Sequence, residues 1–321
     1  MRFLEVSEEA GHYVAALGET ETPVPGPGEV LIRVAASGVN RADLAQIAGR
    51  YPPPPGESTI LGMEVSGTIA ASGEPVCALL AGGGHAEYVA APVGQIFPAP
   101  PSSRIDLVSS AGIPEAFLTA FVNLMIETNL APGKTALIHA GASGVGLAAI
   151  QLAKFIGARA IATTRTREKL AALERAGADL AIDSAGEDVV TVIESRWGAG
   201  AVDIVLDPIG AATLAGDMAV LAVGGSIVFL STMSGTRAEL DIAALMKRRG
   251  RIVGSTLRSR SRPEKAAIVA RFREAILPGF GSGQLEVTVD SVVPLDRAAT
   301  AFQRMRDNKN VGKIVLDWRG H

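Results

Sequence analysis

Three closely spaced glycines give the chain its first candidate for chemistry. Gly141, Gly144 and Gly146 lie within six residues. They follow the short apolar run 136–139, which is typical of a buried strand, and precede an apolar helical pattern that ends at Gly157. Strand, glycine turn and helix predict the start of a nucleotide-binding βαβ unit, in which N–H groups at the helix start face a phosphate. Plain strand–helix connections have the same pattern, so the rest of the chain has to decide between the two interpretations.

The end of the next predicted strand bears on which nucleotide would bind. An NAD site normally has Asp or Glu about 20 residues after the glycine turn, where it bonds the ribose 2′-hydroxyl. Here the strand ends on two threonines, and Arg165 follows nineteen residues after Gly146, with Lys169 one helical turn later. Cations at this place suit a 2′-phosphate, which favours NADPH over NADH. The alternative is a solvated helix start that carries Arg165, Arg167 and Lys169.

Composition and charge exclude several classes of protein. The chain has 321 residues, of which 48% are apolar and 20% are charged, so we expect a folded protein of two domains. A net charge of −3 offers no surplus of cations for nucleic acid or for an anionic membrane. The chain lacks the uninterrupted apolar run of a membrane helix. Its only cysteine, Cys77, cannot form an internal disulfide, and we expect a cytoplasmic protein.

The pattern of the chain changes near Pro114. Before it, strand-like runs such as 29–36, 65–71 and 86–91 predict a β-rich domain. After it, six strand-like runs alternate with helical ones, which predicts an α/β fold with a doubly wound parallel sheet. These six runs are 135–139, 158–163, 180–182, 202–206, 226–230 and 251–254.

The last part of the chain is expected to return to the first domain. Ser261 and Glu264 have the spacing of a capping box at the start of a helix. Strand-like residues 285–293, a short helix near 297–308 and a strand at 313–317 follow. We therefore expect a β-rich domain at 1–116, a nucleotide domain at 117–260 and a returning tail at 261–321.

Seven motifs, which keep their order over nearly the whole chain, carry a family resemblance. They lie at residues 35–44, 49–56, 81–88, 113–121, 138–146, 257–260 and 308–316. With them the chain resembles the medium-chain dehydrogenase/reductase superfamily, and within it the zinc-free quinone oxidoreductases, closest to the tumour-suppressor-inducible branch. The resemblance implies a β-rich GroES-like catalytic domain, a Rossmann domain, and a homodimer that pairs sheet edges near residues 251–255.

The same resemblance predicts that the protein is metal-free. Zinc enzymes of the superfamily hold their metal with Cys, His and a third Cys or carboxylate, and the first two positions match Asn40 and Met63 here. Amide and thioether groups are poor zinc ligands, and a single cysteine excludes the four-cysteine structural zinc lobe. Without a Lewis acid, an electron-poor acceptor such as a quinone or an enone is easier to reduce than an alcohol is to activate.

Asn40 and Tyr51 are the two expected catalytic residues, because the resemblance places both at the nicotinamide cleft. A side-chain amide or phenol can stabilise the negative charge that a hydride brings to an acceptor oxygen, by about 3–4 kcal/mol for one well-placed donor. Tyr51 can also supply a proton. The alternatives are a helix cap for Asn40 and a loop anchor for Tyr51.

The remaining expected site residues belong to the cofactor. Ser143 stands where the Rossmann fingerprint has its second glycine, and Ser184 stands where relatives often carry a tyrosine near the adenosine. His139, at the end of the strand, is interpreted as a buried core histidine. The expected cofactor-binding residues are Thr119, Ser143, Gly144, Val145, Gly146, Arg165, Lys169 and Asn310.

Three functions remain open at the level of sequence. The leading hypothesis is an NADPH-dependent, metal-free reductase that transfers a hydride to a quinone or a related conjugated carbonyl. The first alternative is an enal, enone or enoyl-thioester reductase, and the second is a non-catalytic NADPH-binding protein of the crystallin type. A connection at 71–78 that is shorter than in relatives is expected to change the rim of the substrate pocket.

Overall fold

A computed structural model describes residues 1–100 and 105–320, and it divides the chain into two compact units. The first comprises Met1–Leu118 and Leu257–His321, and the second comprises Thr119–Thr256. The boundaries expected at 116/117 and 260/261 differ from this division by a few residues. The second difference has a clear cause, because Arg258 donates hydrogen bonds to Ala81 and Tyr51 and so belongs to the first unit.

The first unit is built on two sheets whose strand pairs are antiparallel, except for the parallel pair of Val289–Pro294 with Lys313–Asp317. Its largest sheet has seven strands in the order β14-β15-β3-β4-β5-β7, with β6 paired to β3, while β1 and β2 form a separate pair. The strands are β1 (Arg2–Glu9), β2 (His12–Glu19), β3 (Glu29–Val39), β4 (Glu64–Ile69), β5 (Pro75–Leu79), β6 (Tyr88–Pro92), β7 (Ile96–Pro98), β14 (Val289–Pro294) and β15 (Lys313–Asp317).

The C-terminal tail completes this sheet and its core. Strand β15 pairs antiparallel with β3, so that Ile314 lies opposite Val39 and Asp317 opposite Ala36. Phe302, on a tail helix, is fully buried in the same apolar cluster as Ile314. The helices of this unit are α1 (Arg41–Ile47), α2 (Pro114–Phe121), which continues into the second unit, α8 (Arg262–Ala275), α9 (Leu277–Gly281) and α10 (Ala298–Arg306).

The second unit is the predicted doubly wound α/β domain. Its six strands are all parallel and lie in the order β10-β9-β8-β11-β12-β13. Helices cover both faces of such a sheet, which is why its strands read as continuous apolar runs. The elements are β8 (Thr135–Ile138), β9 (Arg159–Thr164), β10 (Leu180–Asp183), β11 (Val202–Asp207), β12 (Leu221–Phe229), β13 (Arg251–Gly254), α3 (Gly144–Phe155), α4 (Leu170–Arg175), α5 (Val189–Trp197), α6 (Leu214–Val220) and α7 (Ile242–Arg248).

Local signals in the sequence account for several element ends. Ser261 Oγ accepts the N–H of Glu264 while the Glu264 carboxylate accepts the N–H of Ser261, which confirms the capping box at the start of α8. The short connection after β4 is the turn of a hairpin, because Thr68 lies opposite Pro75. Strand β5 in this hairpin was not predicted from the sequence, where only a short connection was recognised.

One helical stretch, Ser109–Glu127, is long and apolar enough by length and composition to cross a membrane. It consists of a 3₁₀ turn (Ser109–Gly112), helix α2 and a π-helical turn (Val122–Glu127). Most of this stretch is buried inside the protein.

Candidate functional site

The glycine turn between β8 and α3 brings the helix start against the preceding backbone. The Gly141 N–H donates to the Thr163 carbonyl oxygen at 2.7 Å, which fixes the turn on the neighbouring strand β9. A Cβ at Gly146 would lie 2.5 Å from the Ala140 carbonyl oxygen and 2.6 Å from that of Gly141. Both obstacles are backbone atoms, so only glycine allows this close approach of helix to strand.

The start of α3 offers free donors to an anion. Ser143 is the N-cap, and its Oγ accepts the Gly146 N–H at 3.0 Å, which explains a serine at this place in the turn. The N–H groups of Gly144 and Val145 have no hydrogen-bond partner among the residues that the structure describes. Both residues are partly exposed at the positive end of a helix of twelve residues. A pyrophosphate fits these donors and the cradle that Gly146 leaves open.

The carboxyl end of β9 matches the sequence-based expectation of a site without an acidic residue. Thr163 and Thr164 end the strand and are buried, and Arg165 follows with an exposed side chain. Lys169 ends a 3₁₀ turn (Arg167–Lys169) and is partly buried. Ser184 donates through its N–H to the Thr164 carbonyl oxygen at 2.9 Å, so it also lies at this end of the sheet. The cations here can receive a phosphate, and β9 itself does not end on the carboxylate that would bond a ribose hydroxyl.

His139 is a buried histidine with partners on both ring nitrogens. Nε2 lies 2.8 Å from Asp217 Oδ1, and Nδ1 lies 3.0 Å from Thr163 Oγ1. Burial lowers the pKa of His139, but the hydrogen bond to Asp217 and the carboxylates of Asp217 and Asp207 outweigh it and raise the pKa. The interpretation of His139 as a core residue is therefore confirmed, although the sequence did not reveal its acidic partners.

In the first unit, Asn40 stands at the N-cap of α1. Its N–H donates to Asp43 Oδ2 at 2.7 Å, and the Asp43 N–H donates back to the Asn40 carbonyl oxygen at 2.9 Å. Asp43 Oδ1 also accepts the Gly62 N–H at 3.2 Å, so this carboxylate joins the helix start to the loop before β4. Asp43 is thus a structural hydrogen-bonder, as the sequence indicated.

The side chain of Asn40 belongs to a buried network of charged groups. Its Nδ2 donates to Glu64 Oε1 at 2.9 Å and to the Gly38 carbonyl oxygen at 3.2 Å. Its Oδ1 accepts from Lys313 Nζ at 2.6 Å, and the same ammonium donates to Glu64 Oε1. Glu64 is fully buried, and Lys313 is 5% exposed. Both ends of the Asn40 amide are therefore engaged, and any acceptor oxygen has to compete for its donors.

The position of Glu64 in this network explains why residue 38 is a glycine. A Cβ at position 38 would collide with the carboxylate of Glu64, because Glu64 occupies the space beside the backbone of β3. The sequence did not identify Glu64 or Lys313 as site residues. Glu64 directly precedes the predicted strand 65–71, and Lys313 begins the predicted strand 313–317. Neither position indicates that the two side chains meet.

Glu115 extends the network. Its N–H donates to Glu64 Oε2 at 2.8 Å. Desolvation and the negative charge of Glu64 raise the pKa of the Glu115 carboxyl to about 7, and the Lys313 ammonium opposes this shift. A carboxyl group with that pKa exchanges its proton near neutral pH, which suits a group that resupplies protons.

The Tyr51 hydroxyl is available for chemistry. It makes no hydrogen bond within the part of the chain that the structure describes, although the ring is partly buried. Burial and the charge of Glu115 raise the pKa of Tyr51, while Arg258 lowers it. The guanidinium carbon of Arg258 lies 5.2 Å from the centre of the Tyr51 ring. Tyr51 is thus a neutral phenol whose proton is free for an acceptor oxygen.

Arg258 fixes the loop that carries Tyr51. It donates to the Tyr51 carbonyl oxygen at 3.1 Å, to the Ala81 carbonyl oxygen at 2.7 Å and to Gln46 Oε1 at 2.6 Å. Only 3% of the residue is exposed. The sequence placed Arg258 in a family motif but gave it no role.

Thr119 and Asn310 lie in different units, and each makes one hydrogen bond with a residue close to it in the chain. The Thr119 carbonyl oxygen accepts Asn123 Nδ2 at 2.7 Å, in the second unit. Asn310 Nδ2 donates to the Gly312 carbonyl oxygen at 2.8 Å, in the first unit, where Asn40 and Tyr51 also lie. Their roles at the cofactor stay predictions.

The residues that match the zinc-ligand positions of the superfamily's metal enzymes do not suit zinc. The Asn40 amide oxygen and Glu64 already bind the Lys313 ammonium, and Met63 supplies a buried thioether. Across residues 1–100 and 105–320, no three His, Cys, Asp or Glu side chains converge to hold a metal ion.

Comparison with known proteins decides the family. Residues 26–101 match the alcohol dehydrogenase GroES-like domain, and residues 144–272 match the zinc-binding dehydrogenase family. The synaptic vesicle membrane protein VAT-1 homolog of Rattus norvegicus is 30% identical over 319 residues, which cover 92% of this chain and 78% of that protein. The chain belongs to the medium-chain dehydrogenase/reductase superfamily.

Solved structures of this superfamily share the fold over the whole chain. The quinone oxidoreductase of Thermus thermophilus, also determined with NADPH, is 31% identical with a TM-score of 0.82 and covers 99% of this chain and 100% of that one. An NAD-dependent alcohol dehydrogenase is 28% identical with a TM-score of 0.84 and covers 99% of both chains. The protein is accordingly an oxidoreductase of the medium-chain superfamily.

Proposed function

We propose that this member of the medium-chain superfamily is a metal-free, NADPH-dependent reductase that transfers a hydride to a quinone or a related conjugated carbonyl. The observation that carries the proposal is the Lys313 ammonium, which bonds Glu64 and Asn40, the residue that matches the first zinc ligand of the superfamily's metal enzymes. A chain without a Lewis acid there suits an acceptor that is already electron-poor.

Residues of the second unit would hold the cofactor. The free N–H groups of Gly144 and Val145 would receive the pyrophosphate, and Arg165 with Lys169 would receive the 2′-phosphate. NADPH, when bound, supplies the hydride. The likeness to an NAD-dependent enzyme makes cofactor choice the first point to test.

Residues of the first unit would handle the charge and the proton. The Tyr51 hydroxyl, which has no partner within the described residues, would donate its proton to the reduced oxygen. The Glu115 carboxyl, whose charge adds to burial in raising the pKa of Tyr51 and whose own pKa is about 7, would resupply that proton at neutral pH. Asn40 would contribute its Nδ2–H that now bonds Gly38, since that bond of 3.2 Å is the longer of its two.

The free Tyr51 hydroxyl also favours a second candidate function. Reduction of the C=C bond of an enal, an enone or an enoyl thioester requires a proton donor for the enolate that forms, and a phenol without a resident partner is suited to that step. A non-catalytic NADPH-binding protein would have no use for such a donor.

Turnover with a set of acceptors distinguishes these functions. The purified protein is mixed with NADPH or NADH and with 1,4-benzoquinone, 9,10-phenanthrenequinone or a 2-alkenal, and the loss of nicotinamide absorbance is followed. We expect turnover of a quinone with NADPH. Turnover of the alkenal alone would favour the second function, and NADPH binding without turnover of any acceptor would leave the crystallin-like alternative.

Charge removal tests the cofactor preference. Lys169→Met is expected to raise the KM for NADPH by roughly tenfold, equivalent to about 1.4 kcal/mol, while the KM for NADH stays the same. Arg175→Met, at an exposed position in the same helical region, serves as the matched control and should change neither value. Equal effects of Lys169→Met on both cofactors would contradict the proposed 2′-phosphate contact.

A further inference from the structure

The atoms around Asn40 leave only one possible orientation for its amide. An ammonium can only donate hydrogen bonds, so the Asn40 atom that faces Lys313 Nζ at 2.6 Å must be the oxygen. A carboxylate only accepts, so the atom that faces Glu64 Oε1 at 2.9 Å must be the nitrogen. Two charged partners therefore dictate which end of the amide is the oxygen and which is the nitrogen, two atoms that are otherwise hard to tell apart.

The energetics of burial explain why this arrangement needs both charges. Glu64 is fully buried and Lys313 is 5% exposed, so either charge without the other would be strongly unfavourable. Glu64 uses its second oxygen for the Glu115 N–H, and Lys313 also donates to the Val39 carbonyl oxygen at 3.2 Å. Besides its two contacts with Asn40, the Glu64–Lys313 pair is thus held by Glu115 and Val39, so rotation of one side chain does not release Asn40.

We propose that Lys313 is a positioning residue for the reductase reaction: its buried ammonium fixes Asn40 with the Nδ2 donors directed away from the lysine and polarises that amide. The inference rests on the proposed function, in which Asn40 stabilises charge on the acceptor. It assigns to the C-terminal strand β15 a direct part in preparing the active-site amide, in addition to its place in the sheet. Without the ammonium, the Asn40 oxygen loses the donor that holds it, and Glu64 alone remains to orient and polarise the amide.

Lys313→Met tests the proposal, because methionine keeps the volume and removes the donor. We expect kcat for quinone reduction to fall by about 10- to 100-fold, the range for a misplaced catalytic group. The KM for NADPH should stay within about twofold, since the residues proposed to hold its phosphates belong to the second unit. Lys154→Met, which removes an exposed lysine paired with Asp179, is the matched control and should leave kcat unchanged.

A double variant separates positioning from stability. Lys313→Met leaves Glu64 buried without its cation and will lower stability, so Lys313→Met combined with Glu64→Gln restores charge balance. A glutamine amide at position 64 can donate as well as accept and does not dictate the orientation of Asn40. We expect the double variant to regain the urea midpoint of the wild type but not its kcat. Recovery of both together would show a merely structural role and would overturn the proposal, as would an unchanged kcat in Lys313→Met.

An NMR measurement that does not depend on turnover tests the positioning by Lys313 separately from the proposed function. In protein labelled with ¹⁵N-asparagine, the side-chain amide signals of Asn40 are assigned by their loss in Asn40→Asp. We expect Lys313→Met to shift or broaden these signals, while Lys154→Met leaves them in place. If the wild type turned over no acceptor, the proposed function would fail, and unchanged Asn40 signals would separately refute the positioning by Lys313.

Discussion

The substitution Arg258→Met tests how the first unit holds the loop of Tyr51. Arg258 donates to the carbonyl oxygens of Tyr51 and Ala81 and to the side chain of Gln46. Methionine keeps the apolar part of the side chain and removes all these donors. The three acceptors lie far from residue 258 in the sequence, so the loop would lose its link to the C-terminal part of the chain.

The magnitude follows from the burial of each acceptor. Ala81 is buried, so its carbonyl oxygen loses a partner that water does not replace, at a cost of about 1–3 kcal/mol. Tyr51 and Gln46 are partly exposed, so their acceptors recover water at a smaller cost. Removal of a buried guanidinium offsets part of the loss, since burial lowers the pKa of Arg258. We therefore expect the free energy of unfolding to fall by about 2 kcal/mol.

Urea unfolding of the wild type and the variant at one pH measures this change. Arg271→Met removes an exposed arginine from α8 and should stay within about 0.5 kcal/mol of the wild type. The turnover of Arg258→Met should fall as well, because the Tyr51 hydroxyl would no longer be held in place. An Arg258→Met protein with the urea midpoint and the turnover of the wild type would refute this account of the loop.

Three further predictions concern the second unit. The folded-state pKa of His139 is raised above its unfolded value of about 6.5, so its contribution to stability is fully present below that pH and is lost as the pH rises through the folded value. Urea unfolding should therefore show that His139→Gln is destabilising at pH 6 and less destabilising at pH 9. A difference in unfolding free energy between variant and wild type that grows with pH would contradict this. Gly146→Ala should destabilise the protein by about 1–3 kcal/mol and weaken NADPH binding in a fluorescence titration, whereas Gly281→Ala, where a Cβ meets open space, should do neither. Strand β13 lies at an edge of the six-stranded sheet, so gel filtration should give about twice the chain mass of 33.0 kDa, and a monomer would count against edge pairing.

The sequence predicted the features that depend on neighbouring residues. The strand, glycine turn and helix at 135–155 and the capping box at Ser261 form from contacts within a few positions, so their residue types reveal them. The parallel sheet followed from the alternation of short apolar runs with helical ones. Strand β12, by contrast, begins at Leu221, because the pairing of Val202 with Leu221 extends it beyond the apolar run 226–230.

The contacts that shape the candidate site could not be predicted in this way. Lys313 meets Glu64 across 249 positions, and Arg258 meets Tyr51 across 207 positions. Glu64, Lys313 and Arg258 each look like ordinary surface residues when only their neighbours in sequence are considered. The contact of Lys313 with Glu64 forms only because β15 pairs with β3 and so places the lysine beside the buried carboxylate.

The space that Glu64 takes beside Gly38 links two positions that are 26 residues apart. A chain that keeps this backbone and a glutamate at 64 has no room for a side chain at 38, whereas a chain with a smaller residue at 64 is free to vary there. The two positions should therefore change together when relatives are aligned. Such a coupled pair would mark members of the superfamily that rely on a buried lysine, even where their glycine turns look alike.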